Sequence, residues 1–317
     1  MRNAEQVTFG GSGLNRAAHR RKDATQMLAA ADCIPIWRGK VLFDYGIKGL
    51  IRLPHDHPLM AEATEAPIFL GLEEGDKPVF AVDVSPWEDP EADDDALGRF
   101  FDPSQNRYPG FSEAQVFTEL RGVMSKLSPR DAELAATGRG LMQWHETHPF
   151  CARCGAASSV AMAGWQRDCP ACGASHFPRT DPVVIVLVLH GNSVLLGRSP
   201  GWPEGMYSLL AGFMEPGESM EAAARREVFE ESGIRLSEVG YLSSQPWPFP
   251  SSLMIGCIAR AESTDIRLDP QEIEDARWFT REEVFAAIRG ENPALLPARP
   301  GSIAHFLIGN WLADTLD

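Results

Sequence analysis

Three glutamates in the C-terminal half offer the first chemistry. Glu227, Glu230 and Glu231 stand at i, i+3 and i+4, so a helix would set their carboxylates on one face about a turn apart. Like charges crowded in this way destabilise a helix unless a cation neutralises them. Hard carboxylate oxygens suit Mg²⁺ or Mn²⁺, which in turn bind phosphate oxygens. The neighbours specify such a helix: Ala222, Ala223 and Ala224 supply propensity without bulk, and Gly233 is placed to end it with a left-handed cap. Gly212 and Gly217 let the preceding loop bend back toward the site. A solvated acidic helix face is the alternative reading of such a stretch.

The second pattern is Cys151-x2-Cys154, fourteen intervening residues, then Cys169-x2-Cys172. Paired knuckles at this separation bring four thiolates to one tetrahedral Zn²⁺, with no open position for catalysis. Gly155 and Gly173 follow the knuckles and suit their tight turns. Two disulfides would suit an exported chain instead, but the opening MRNAEQVTFGGSG has no apolar core of signal-peptide type. Cys33 and Cys257 stand alone and read as small buried apolar residues.

The third is Ser244-Gln-Pro-Trp-Pro-Phe-Pro-Ser-Ser252. Prolines at 246, 248 and 250 predict a stiff, extended, polyproline-like loop that holds Trp247 and Phe249 ready for a flat ligand. In isolation a rigid linker or a proline-recognition ligand fits it as well.

These groups need a scaffold. A chain of 317 residues, with 44% apolar and 23% charged residues, has the composition of a globular protein of about two domains. The longest apolar run, Val183–Leu189, is far below the roughly 18 residues of a membrane span. A cytoplasmic location is expected. The net charge of −15 argues against a general nucleic-acid binder. Part of it lies in Glu88, Asp89, Glu91, Asp93, Asp94 and Asp95, which read as a solvated loop. Arg16, Arg20, Arg21 and Lys22 form the only dense basic cluster, either a path for RNA or a solvated helix face.

An accessory α+β domain is expected over residues 1–148, with strands at Ile34–Trp37, Lys40–Phe43, Pro67–Leu70 and Pro78–Val82. Helices are expected over Ser112–Met124 and Ser128–His145. A zinc ribbon over 149–178 follows. In residues 179–317, strands at 183–189, 193–196, 239–243 and 253–260 interleave with helices at 219–232, 284–288 and 303–312.

The stretch from Gly212 to Ile234 fits Gly-x5-Glu-x7-Arg-Glu-U-x-Glu-Glu-x-Gly-U at every defined position, and so resembles the Nudix box. The resemblance implies an α/β/α sandwich over residues 179–317 and hydrolysis of a nucleoside diphosphate linked to another group. It implies that Glu227 and Glu231 are metal ligands and that Glu230 adds a ligand or holds a metal-bound water. Glu218 would brace Arg226, the Ala211 carbonyl would touch metal, and Glu272 would be a further ligand or base. Ser244–Ser252, together with the ribbon, is similar to the marker of the NAD(H) pyrophosphatases of the NudC type. That branch implies cleavage of NADH to NMNH and AMP, removal of NAD caps from RNA, and a homodimer. Gln245, Pro246, Trp247, Pro248, Phe249, Pro250, Ser251 and Ser252 would then bind substrate, with Phe213 as a stacking ring. Phe177, where the family has tyrosine, and Ala294 would add contacts. The competing class is a catalytically weak zinc-ribbon/Nudix regulatory module that binds nucleotides; it would be marked by a lost carboxylate.

Overall fold

The computed structural model describes residues 1, 3–92 and 102–316, so Asp93, Asp94 and Asp95 of the acidic run lie outside it. The chain divides into two compact units: Gly11–Arg179 with Pro248–Ser251, and Met1–Gly10 with Thr180–Trp247 and Ser252–Asp317.

The first unit is built on strands β1 (Asp32–Trp37), β2 (Lys40–Asp44), β3 (Gly49–Leu50), β4 (Leu53–Pro54), β5 (Ile68–Glu73), β6 (Lys77–Asp83) and β7 (Gln115–Thr118). They hydrogen-bond in the order β3-β2-β1-β6-β5, with β4 beside β1 and β7 beside β2. The expected helix over Ser112–Met124 is instead β7, followed by the one-turn α1 (Leu120–Val123). Val116 and Phe117 are buried there, and β2 offers an open edge that takes the segment from Val41↔Thr118 to Asp44↔Gln115. The helical pattern of the stretch cannot outweigh that pairing. The second expected helix is present as α2 (Pro129–Thr147), with Ser128 Oγ accepting from Asp131 N–H and Pro129 at its first position. The basic cluster is partly used within this unit. Arg16 pairs with Glu133 at 2.8 Å, and the Arg21 guanidinium lies 3.8 Å from the Trp165 ring centroid.

The ribbon follows as β8 (Ser159–Ala161), β9 (Gln166–Asp168) and β10 (Ser175–His176), all antiparallel. Gly155 and Gly173 turn the knuckles at φ of 76° and 71°. All four sulfurs lie within 4.8 Å of one another; Cys151 and Cys172 are 3.7 Å apart, and Cys154 and Cys169 3.5 Å. A tetrahedron with Zn–S bonds of about 2.3 Å has edges of about 3.8 Å, so the set fits zinc.

The second unit holds β11 (Asp181–His190), β12 (Ser193–Arg198), β13 (Leu210–Phe213), β14 (Leu236–Trp247), β15 (Ser252–Ala261) and β16 (Asp275–Thr280). Their order is β14-β15-β11-β12-β16, with β13 beside β11 and with β11 and β15 parallel. Buried on both faces, β11 is a continuous apolar run. Val184, Val186 and Val188 face a core with α3 (Met220–Ser232), through Ala223, Ala224 and Val228. Ile185, Leu187 and Leu189 face the other core, with α4 (Arg281–Ile288) and α5 (Ile303–Leu312). This is an α/β/α sandwich.

The proline-rich segment differs from expectation. Ser244 to Trp247 continue β14, with Pro246 opposite Leu253, and only Pro248–Ser251 form a turn. A proline has no N–H for a second neighbour, and β14 stands at the end of the sheet order, where none is required.

Zinc by plasma mass spectrometry is expected at one per chain. Cys169→Ser should lose it and open the 151–176 region to limited proteolysis. A zinc-free protein with a protease-resistant ribbon would contradict the metal reading.

Candidate active site

Helix α3 forms because its ends and its inner face are both specified. Ser219 Oγ accepts from Ala222 N–H at 3.4 Å, and Gly233, at φ 70°, closes the other end with its N–H on Phe229 O at 2.8 Å. Anchored through Ala223, Ala224 and Val228, the helix carries Glu227 and Glu231 inward, and Glu231 is only 7% exposed. Glu227 lies directly over Gly212 of β13. A Cβ at 212 would fall 1.9 Å from the Glu227 carboxyl carbon, so any larger residue there would push that carboxylate from its place.

Arg226 ties the loop before the helix to the helix itself. Its Nε and Nη2 donate to both oxygens of Glu218, at 3.1 and 2.5 Å. Nη1 donates to Glu227 at 2.8 Å and to Glu230 at 3.0 Å, and Nη2 reaches the Phe213 carbonyl at 2.9 Å. The Glu218 carboxyl is held below its ordinary range by the Arg226 hydrogen bonds and by the Glu215 N–H.

The opposite holds deeper in the site. Burial, then the charges of Glu227, Glu272 and Glu230, push the Glu231 carboxyl up to about 8. Burial also raises Glu227, against the pull of Arg226. Glu231 Oε2 is buried with no hydrogen-bond partner. Among the described residues, only the cysteine quartet brings three or more metal-ligand atoms within 4.8 Å, so these carboxylates stand farther apart than a closed coordination shell. An orphaned buried carboxylate oxygen among three more acids fits a divalent cation in both charge and chemistry.

Ala211 lies in β13 opposite Ile185, with Gly212 and then Phe213 following; Phe213 is 59% exposed. Glu272 is an exposed residue whose charge reaches Glu227 and Glu231. Ala294 is exposed in the loop before α5, its N–H on Asn292 Oδ1. Trp247 pairs with Ser252 where β14 meets β15. Phe177, 66% exposed, belongs to the first unit, as do Pro248, Phe249, Pro250 and Ser251. Gln245 is fully buried and spends its amide on backbone groups: Nε2 donates to Thr8 O and Gly301 O, and Oε1 accepts from Ile303 N–H, each at 2.8 Å.

Two residues escaped the sequence reading. The guanidiniums of Arg121 and Arg139 lie 4.1 and 4.7 Å from the Phe249 ring centroid. The ring expected to meet a ligand is thus also in cation–π contact with two arginines. Burial, then the charge of Arg121, lowers Arg139 to about 10. More than a hundred residues separate these arginines from Phe249, and no local pattern marks such a contact.

The raised Glu231 value has a consequence for stability. A carboxyl whose folded pKa exceeds its unfolded value costs stability once pH rises above the ordinary carboxylate range, and the cost is complete above about 8. In buffer free of Mg²⁺ and Mn²⁺, Glu231→Gln should therefore raise the melting temperature by roughly 4–8 °C at pH 8.5, with little change at pH 4.5. Differential scanning calorimetry at the two pH values checks this, and an equal shift at both would contradict it.

Three family models match the chain in sequence order. They are an NADH pyrophosphatase-like rudimentary NUDIX domain over residues 30–144, an NADH pyrophosphatase zinc ribbon domain over 146–177, and a NUDIX domain over 179–298. Human NAD-capped RNA hydrolase NUDT12 is 46% identical over 201 residues, covering 60% of this chain and 44% of that protein. The chain thus spans less than half the length of this relative. Human mitochondrial NAD(P)H pyrophosphatase NUDT13 is 36% identical over 268 residues, 80% of this chain and 73% of that protein. The Mycobacterium bovis NAD-capped RNA hydrolase NudC is 34% identical over 319 residues, 95% of this chain and 93% of that one. With a rudimentary Nudix domain, a four-cysteine ribbon and a Nudix domain in that order, the chain belongs to the Nudix hydrolase family, in its NADH pyrophosphatase branch.

Proposed function

We propose that this chain hydrolyses the diphosphate of NAD(H), giving NMN(H) and AMP, and removes NAD caps from RNA 5′ ends. The observation that carries the reading is the unpartnered, buried Glu231 oxygen on α3, surrounded by Glu227, Glu230 and Glu272. Relatives named for NAD-capped RNA hydrolysis and for NAD(P)H pyrophosphatase activity support the substrate.

In this reading Glu227, Glu231, Glu272 and the Ala211 carbonyl hold Mg²⁺ or Mn²⁺, with Glu230 as a further ligand or water-holder. A bound divalent cation supplies neutralising charge for the diphosphate and acidifies a coordinated water. Arg226 keeps Glu227 and Glu230 facing the site, while Gly212 leaves room for the Glu227 carboxylate. One glutamate takes the proton of the attacking water as its oxygen bonds to phosphorus. The bridging P–O bond then breaks, and the second nucleoside monophosphate leaves with that oxygen. Phe213 offers an exposed ring face, and Trp247 and Ser252 flank the Pro248–Ser251 turn along the chain. Phe177 and Ala294 supply further contacts.

The regulatory-module alternative requires a missing carboxylate, and Glu227, Glu230 and Glu231 are all in place. A homodimer and a cytoplasmic location belong to the proposal. Four thiols closing a zinc site suit a reducing compartment, and no described helix is long and apolar enough to cross a membrane.

Mass spectrometry after incubation with NADH and Mg²⁺ or Mn²⁺ is expected to show NMNH and AMP in equal amounts, abolished by a chelator. Glu231→Gln should lower turnover roughly 10²–10⁴-fold with the zinc content unchanged. Intact NADH from folded, zinc-loaded protein would contradict the substrate, and undiminished turnover would remove Glu231 from the metal site.

A further inference from the structure

We infer that the segment Met1–Gly10 is a strap that positions the end of β14, with Gln245 as its lock; the inference rests on the proposed role of the loop that β14 feeds. Ser243 and Gln245 stand two apart on β14, so their side chains leave the same face, and both are fully buried. Polar side chains at such depth must find partners, and theirs are backbone groups distant in sequence. Ser243 Oγ donates to Ala4 O at 2.6 Å. Gln245 uses both N–H groups, on Thr8 O and Gly301 O, and its oxygen takes the first N–H of α5, from Ile303. A single side chain thus joins the strap, the loop before α5 and the strand.

Apolar burial completes the strap. Val7 is 4% exposed and belongs to the core that includes Leu242, Ile303 and Trp311; Met1 packs against the same cluster, and Phe9 is 3% exposed. The strap is therefore part of the unit that carries α3, although some 170 residues of the other unit intervene before Thr180.

The consequence for the site follows from what comes after Gln245. Pro246 restricts the backbone of residue 245, and Trp247 ends the strand at the turn. Once the Gln245 amide is held from two sides, the position of Trp247 has little freedom left. With both N–H groups and its oxygen engaged, Gln245 acts on substrate through the loop and not by touching it. It is a positioning residue.

The test uses full-length, zinc-loaded protein and two variants acting from opposite sides. Gln245→Glu leaves the lock without the two donors that Thr8 and Gly301 need. Val7→Asp expels the strap while leaving β14 untouched, and Val7→Ile is the conservative control. Hydrogen exchange is followed over residues 3–10 and 244–252, and kcat and KM are measured for NADH. Both variants should accelerate exchange roughly tenfold or more in the two segments. KM should rise about 5–20-fold, with kcat of Val7→Asp within about twofold and Val7→Ile like the parent. Rapid exchange at 3–10 with 244–252 and KM unchanged would overturn the inference, as would a Gln245→Glu strap that stays protected. Parent protein that cleaves no NADH would defeat the hydrolase reading instead. The strap is then decided by exchange at 244–252 alone: acceleration upholds it and its absence overturns it.

Discussion

A buried carboxylate oxygen without a hydrogen-bond partner is the constraint around which the unit carrying α3 is organised. Glu231 is drawn under the sheet by the same helix that buries Ala224 and Val228, and its Oε2 finds no donor. Three further acids raise its proton affinity instead of relieving it. Such a group is costly in a folded protein unless it is protonated or faces a cation. The surrounding residues make sense as supports for that arrangement. Gly212 clears the space beneath Glu227, and Arg226 restrains Glu227 and Glu230 from the outside while clamping Glu218 across the loop. The site stores a demand for positive charge that the protein alone does not meet.

The sheet supplies the rigidity that this demand requires. Alternate residues of β11 enter the two cores, so α3 on one face and α4 and α5 on the other are packed against a single strand. β13, paired with the same strand, presents Ala211, Gly212 and Phe213 in succession. Polar contacts at depth then locate the remaining edge, where Gln245 satisfies three backbone groups at once. The zinc ribbon follows the opposite logic. Its four sulfurs close upon one another and leave nothing open for reaction.

What could be read from sequence was whatever local periodicity and spacing determine. The three acids of α3 and its glycine stop lie within seven consecutive residues, Glu227 to Gly233, and the cysteine knuckles within twenty-two. The apolar run of β11 and the Ser128–Pro129 start of α2 were legible for the same reason. Elements decided by distant partners were not. Gln115–Thr118 became a strand because β2 had an open edge, and Pro246 lies in β14 because that strand is terminal in its sheet. The prolines predicted an extended segment, which is right for the backbone, but they could not reveal that Gln245 faces inward or that Arg121 and Arg139 flank Phe249. The grouping of Met1–Gly10 with the C-terminal half left no local trace either.

The central claim is that the acids of α3 are completed by a divalent cation. Titrating Mn²⁺ into zinc-loaded protein while following the electron paramagnetic resonance of the free ion tests it without any substrate. At least one Mn²⁺ per chain should be taken up, and Glu231→Gln should weaken that uptake by roughly tenfold or more with zinc retained. Equal uptake by the two proteins, or none by either, would contradict the account.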